Sequence, residues 1–244
     1  MSSAKNWAVV VPMANESPEF TPFSVAMIET LDRVGGGTVY LVVDLASKDN
    51  TRELCADLSA RDTRFVTVWA PENKNVVDAY LRGFRAAYEA GHEFIVEMDA
   101  GLSHDPAAIP LFLAALAEGN ECVFGSRFCP GGSMAESPFF RRTLSRAGTV
   151  LSNVMLGTRL HDMTSGFEAF QREPLAALLA YPLRSRAHFY QTEVRYLLRK
   201  RRSVELPIHY QAPSNSVSKK AIRNAVETLL YYLGQRLLGR APAL

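Results

Sequence analysis

Short apolar runs alternate with stretches of helical spacing along most of the chain. Trp7-Ala8-Val9-Val10-Val11-Pro12 is apolar and β-branched, and its Pro closes it as a buried strand. Phe23 to Val34 repeats apolar residues at helical spacing and stops at Gly35-Gly36-Gly37. Val39 to Val43 predicts a second buried strand, ending at Asp44, and a helix follows over 51–59. Arg64 to Trp69 predicts a third strand and Val76 to Ala90 a helix. Phe94 to Met98 predicts a fourth strand, Ile109 to Glu118 a helix, and Cys122 to Arg127 a fifth strand. This alternation predicts an α/β fold with a mostly parallel central sheet and helices on both faces.

The second half has a different pattern. Phe139 to Leu160 predicts a long Arg-bearing helix, His161 to Phe167 a polar loop, and Pro174 to Ala180 a short helix. Phe189 to Arg202 predicts a helix ending in the basic cluster Arg199-Lys200-Arg201-Arg202. Ser203 to Tyr210 predicts an edge strand, because it carries Pro207, and Ala221 to Leu238 a C-terminal amphipathic helix. No repeat or low-complexity linker divides the chain, so one domain is expected over 1–244.

Composition narrows the class. A net charge of +2 gives no field that argues for nucleic acid. The 3 Cys have no metal-type spacing, which suits free thiols in a reducing compartment. The N-terminus lacks a signal-peptide pattern, and no run reaches the roughly 18 apolar residues of a membrane span. A cytoplasmic protein is the expectation. The apolar faces of 139–150 and 229–238, flanked by Arg, fit either a bilayer surface or a core-facing helix.

Candidate chemistry sits where strands end. In an open α/β sheet, ligands bind outside the carboxyl ends of the strands. Asn15-Glu16, Asp44 and Asp99 all fall there. A carboxylate so placed holds a hard cation and, through it, a phosphate. Asp99 equally reads as a strand cap, and Asp105-Pro106 as a helix start.

Six segments in order resemble the family 2 glycosyltransferases, especially the branch typified by dolichol-phosphate mannosyltransferase. They are Val10 to Glu16, Val43 to Thr51, Asp78 to Phe84, Met98 to Pro106, Val123 to Phe128 with Gly131-Gly132, and Asp162 to Phe167. The resemblance implies a single GT-A-type domain, with a nucleotide-sugar half over about 7–130 and an acceptor half over about 131–220. It implies an inverting transfer of a hexose, mannose from GDP-mannose being the type case, from a GDP- or UDP-sugar to a polyprenyl phosphate or small acceptor, at the inner face of the membrane.

By the same resemblance, Pro12, Ala14, Glu16, Asp44, Ser47, Asp78, Asp99, Ala100, Gly101 and Arg127 bind the nucleotide sugar. Asp99, Arg127, Asp162 and Glu193 are the catalytic candidates, with Asp99 as ligand to Mg²⁺ or Mn²⁺. Ser165, Gly166, Arg202, Ser216 and Lys219 serve the phosphates or the acceptor. Four departures stand against the pattern. Gly101 replaces the second acid of Asp-x-Asp, and Leu45 that of Asp-Asp. Val76 and Val77 replace glycines, and Ser216 replaces a lysine. They keep two rivals open: a member repurposed for a soluble hydroxyl or amine acceptor, and a non-catalytic sugar-nucleotide-binding protein.

Overall fold

Alternate residues of the first strand, β1 (Trp7–Met13), serve two different cores. Val9 and Val11 face one layer with Phe23, Met27 and Phe112, whereas Ala8 and Val10 face the other with Tyr80 and Phe84. That period of two on a strand buried on both faces is what a central parallel strand requires. The computed structural model describes residues 6–211 and 218–244; Ser216 lies outside them.

The order of elements is β1, α1 (Phe20–Val34), β2 (Thr38–Val43), α2 (Thr51–Arg61), β3 (Phe65–Trp69), α3 (Val76–Glu89) and β4 (Phe94–Glu97). A 3₁₀ turn, Pro106–Ala108, then leads into α4 (Ile109–Ala117), β5 (Cys122–Ser126) and α5 (Phe139–Leu156). β6 (Glu168–Gln171), α6 (Arg172–Ala180), α7 (Phe189–Leu197), β7 (Ser203–Pro207) and α8 (Lys219–Leu237) complete the chain.

The strands form one seven-stranded sheet in the order β3-β2-β1-β4-β6-β5-β7. β6 alone runs antiparallel, between β4 and β5, so the other six point their carboxyl ends to one edge. The chain winds outward from β1 through β2 to β3, then returns to place β4 on the other side of β1. This reversal opens a crevice at the carboxyl ends of β1 and β4.

Three expectations change. β6 falls between the loop expected over 161–167 and the helix expected from Pro174, where no element is expected. The helix from Phe139 stops at Leu156, not Leu160, because Gly157 takes the left-handed conformation (φ 72°). The helix from Phe189 stops at Leu197, so the basic cluster follows the helix rather than ending it.

Candidate functional site

The carboxylates expected from the sequence share one edge. Asp44 follows β2 and Asp99 follows β4, with only β1 between them, so the strands carrying them are about 10 Å apart. Beside Asp44 a cavity of about 350 Å³ is lined by Pro12, Ala14, Asp44, Ala46, Asn73, Lys74, Asn75 and Ala79, among others. Asp44 is buried; its Oδ1 accepts from the Ala46 amide at 2.8 Å and its Oδ2 from Asn73 Nδ2 at 3.3 Å. Of the expected nucleotide-sugar residues, Pro12, Ala14 and Asp44 line this cavity.

Ser47 and Asp78 do not, because each is engaged in holding a loop. Ser47 Oγ accepts from the Asn15 amide at 3.2 Å and donates to Asp49 at 3.1 Å. Asp78 Oδ2 accepts from the Lys74 amide and from Asn75 Nδ2, both at 2.9 Å, while Asn75 caps α3. Asn73, Lys74 and Asn75 were not anticipated as lining residues. Their signal was a polar cluster directly before a helix, which marks a cap and leaves a cation at the crevice.

Asp99 stands at the other side of β1. Its Oδ1 accepts from the Tyr80 hydroxyl at 2.5 Å, and its amide donates to His104 Nδ1 at 3.1 Å. Burial holds the His104 imidazole below its ordinary pKa, so it stays neutral and accepts at Nδ1. Ala100, next in the chain, is buried and packs into the core.

Gly101 has φ +66°, and a Cβ there would lie 2.9 Å from Glu16 Oε2. Glu16, from the β1–α1 loop, therefore occupies the space into which a side chain at 101 would grow. Burial, then the charge of Asp99, pushes the Glu16 carboxyl up to about 7. A Cβ on Gly166 would lie 3.1 Å from Gln191 Nε2 and in ordinary contact, 3.5 Å, with both Asp99 oxygens, so the loop after α5 runs against this carboxylate.

Among the described residues no group of three or more His, Cys, Asp or Glu would hold a metal alone. The donor set still suits a hard cation shared with a diphosphate, because Mg²⁺ keeps several waters and takes one or two carboxylates plus substrate phosphates. Asp99 and Glu16, the latter set against the 101 position, are the two neighbouring carboxylates that would face such a cation.

Arg127 and Asp162 are brought together as a buried pair. Arg127 Nε and Nη2 donate to the two Asp162 oxygens at 2.7 and 2.9 Å, and Nη2 also to Thr164 Oγ1 at 2.6 Å. The guanidinium also lies over the rings of Phe128 and Tyr210. Only Nη1 makes no hydrogen bond among the described residues. Burial pushes the Asp162 carboxyl up, but the hydrogen bonds and charge of Arg127 outweigh it and hold the pKa below the usual value. Asp162 is wholly buried and spent on Arg127, so it is not a free base. It fixes the loop that carries Ser165 and Gly166; Ser165 is itself buried.

Glu193 does not reach the crevice. It is fully buried, and its oxygens accept from the Arg184 and Ser185 amides at 2.8 Å and from the Tyr232 hydroxyl at 2.6 Å. Arg202 lies on the far edge of the sheet, where its carbonyl accepts from the Glu121 and Cys122 amides and its own amide donates to the Glu121 carboxylate at 2.9 Å. Its neighbour Arg201 pairs with Glu121 and Glu173. The basic cluster is therefore part of the scaffold. Lys219 is exposed at the start of α8, and Lys220 lines a separate cavity with Lys74, Arg186 and Arg223.

A crevice at the switch point of a mostly parallel sheet, with carboxylates at the ends of β2 and β4, has the GT-A architecture of nucleotide-sugar glycosyltransferases. Solved structures of glucosyl-3-phosphoglycerate synthase from Mycobacterium tuberculosis share it. The complex with UDP superposes with a TM-score of 0.67 at 18% identity, over 94% of this chain and 80% of that one. The complex with Mn²⁺, UDP and glucosyl-3-phosphoglycerate gives 0.63 at 16% identity, over 98% and 81%.

Glycosyl transferase family 2 matches residues 8–179, and the chain belongs to that family and is a glycosyltransferase. It is 32% identical over 203 residues to the undecaprenyl-phosphate mannosyltransferase of Micrococcus luteus, covering 82% of each chain. It is also 32% identical over 203 residues to the polyprenol monophosphomannose synthase of Mycolicibacterium smegmatis, covering 82% of this chain and 77% of that one. The dolichol-phosphate mannosyltransferase of Pyrococcus furiosus is 29% identical over 180 residues, or 72% of this chain and 49% of that protein.

Proposed function

We propose that this protein transfers a hexose, with inversion, from a nucleoside diphosphate sugar to a polyprenyl phosphate. The observation that carries this reading is the placement of Asp44 and Asp99 on one edge, flanking β1, with the Gly166 loop against Asp99. The nucleoside sits in the cavity beside Asp44, with Pro12 and Ala14 as its walls and Lys74 as a cation at its rim. Asp99 and Glu16 would hold a divalent cation, which when bound offsets the charge that develops on the diphosphate leaving group.

The acceptor class follows from which carboxylates are free. A hydroxyl acceptor needs a base within hydrogen-bond reach of its proton. Asp162 and Glu193 are buried and engaged, so neither serves, and the accessible Asp99 and Glu16 are the pair assigned above to the cation, which leaves no carboxylate as base. A phosphate acceptor is already an anion and attacks without a base. Mannose and a polyprenyl phosphate are the pair favoured by the names of the relatives, and GDP-mannose is the donor that the sequence resemblance implies.

Incubation with radiolabelled GDP-mannose, undecaprenyl phosphate and, separately, undecaprenol tests this. Transfer to the phosphate alone is expected. Transfer to the free alcohol, or hydrolysis with neither lipid, overturns the acceptor assignment.

α5 supports contact with a membrane surface. Its Thr149 and Ser152 face inward and are buried, whereas Phe139, Phe140, Leu144, Leu151 and Val154 are exposed, the two phenylalanines at 75% and 76%. Arg141, Arg142 and Arg146 lie along the same helix, a composition that suits an anionic interface. α8 is mixed: Leu229 and Tyr232 join the core, while Leu230, Leu237 and Leu238 are exposed. Among the described residues no helix is long and apolar enough to cross a membrane. The double variant Phe139→Glu, Phe140→Glu is expected to lower co-sedimentation with phosphatidylglycerol vesicles by about tenfold or more, with Tm unchanged. Equal sedimentation would remove α5 from the contact.

A further inference from the structure

Asp99 stands on a short connection after β4, and its side chain is 41% exposed. Nothing in the chain between Met98 and Gly101 restrains such a carboxylate. Its orientation is set instead from α3 and α7. Tyr80, in the second turn of α3, is 1% exposed and donates to Asp99 Oδ1 at 2.5 Å. Its ring stacks on Tyr190 of α7, with centroids 5.4 Å apart and planes at 22°. Tyr190 is fully buried, and its hydroxyl donates to Glu97 Oε2. Glu97 is the last residue of β4, two before Asp99. The contacts thus close a ring: Asp99, Tyr80, Tyr190, Glu97, and back along the backbone to Asp99.

A second leg ties this ring to the rest of the sheet. Glu97 stands directly opposite Glu168 of β6, and Arg195 of α7 approaches Glu168 at 3.3 Å. Arg195 also donates to the Gly125 carbonyl at 3.3 Å, two residues before Arg127. Glu97, Glu168 and Arg195 are all wholly buried. Burial, then the charge of Glu168, raises the Glu97 carboxyl, which leaves it neutral beside the Glu168–Arg195 pair. A buried polar group of this extent is costly to keep when apolar residues would fill the same volume.

We propose that Tyr80 is a positioning residue of the donor site, fixing Asp99 in one orientation through a stacked tyrosine pair anchored on Glu97. This rests on the transferase reading above. The hydroxyl occupies Oδ1 and leaves Oδ2 as the oxygen presented to the donor. Fixed orientation matters here because the motif itself carries one acid, Gly101 standing where a second would be, and Glu16 reaches that place from a different loop.

A double-mutant cycle isolates the effect, since residues acting through one another are non-additive. GDP binding in the presence of Mn²⁺ is measured by calorimetry for the wild type, Tyr80→Phe, Asp99→Ala and the double variant. Tyr80→Phe is expected to weaken binding about tenfold in the wild-type background and less than twofold beside Asp99→Ala. In turnover it raises KM for the donor more than it lowers kcat. Tyr190→Phe, which removes only the anchor, gives a smaller loss of the same kind.

A Tyr80→Phe protein that binds as the wild type does, or that loses the same factor in both backgrounds, overturns the positioning role. A crystal structure of Tyr80→Phe supplies a second reading: Asp99 displaced supports the proposal, and Asp99 unmoved overturns it. Wild-type protein that binds neither GDP nor UDP overturns the transferase reading itself. Wild-type binding without coupling leaves that reading intact and removes Tyr80 alone.

Discussion

Asp99→Asn is expected to lower kcat/KM for hexose transfer by about 10²–10³-fold, the usual loss when one preorganised electrostatic group is removed from a reacting centre. The substitution keeps the size of the side chain and an oxygen for the Tyr80 hydroxyl. It removes the charge that, with Glu16, would face the cation and diphosphate. Because the side chain is partly exposed and lies outside both core clusters, Tm is expected to shift by only a few degrees. Steady-state kinetics with melting curves on the same preparation check both parts. Unchanged transfer would show that Asp99 only caps β4.

The second large effect concerns stability. Asp162→Ala leaves the Arg127 guanidinium buried without its partner, and the loss of one member of a buried ion pair costs about 3–5 kcal/mol. For a chain of this length that lowers Tm by roughly 6–20 °C. The pair also sets a pH dependence. The Asp162 pKa is held below its unfolded value, so the unfolded chain binds the proton more readily. The stabilisation is fully present above the unfolded carboxylate range and is lost as pH falls through the folded pKa. Denaturant titrations of wild type and variant between neutral and strongly acidic pH should therefore converge at the acid end. Curves that stay parallel would remove Asp162 as the source.

The first half of the chain was largely legible in the sequence. Five strands, each a run of apolar or β-branched residues between turn signals, fell within a residue or so of their observed bounds, and the acids that follow them share one edge because parallel strands place their carboxyl ends together. β6 was not legible. It is four residues long, carries Glu168 at a wholly buried position, and runs against its neighbours, so neither length, hydropathy nor alternation marked it. Its acid faces Arg195, from a helix 27 residues further on, a pairing that local sequence does not encode.

The same limit applied to individual side chains. Asp162, Glu193 and Arg202 have residue types that suit catalysis and phosphate binding, but their partners are Arg127, the Arg184–Ser185 backbone and Glu121, all distant in sequence or hidden in a turn. Tyr80 lies within the 78–84 segment with no role that local sequence assigns, because only the fold brings its hydroxyl to Asp99. By sequence alone Gly101 is a lost carboxylate. The fold shows that Glu16, 85 positions earlier, lies in the space a side chain there would enter.

The antiparallel strand has a practical consequence for protein engineering. β6 belongs by sequence to the downstream segment, yet it sits between β4 and β5 and completes the sheet of the upstream one. Grafting that segment from a homologue to alter substrate choice would replace a central strand as well as a loop. Chimaeras joined just before Glu168 would exchange the Glu97–Glu168 contact and lose solubility, whereas grafts confined to 161–166 would leave the interior hydrogen-bond ladder of the sheet intact.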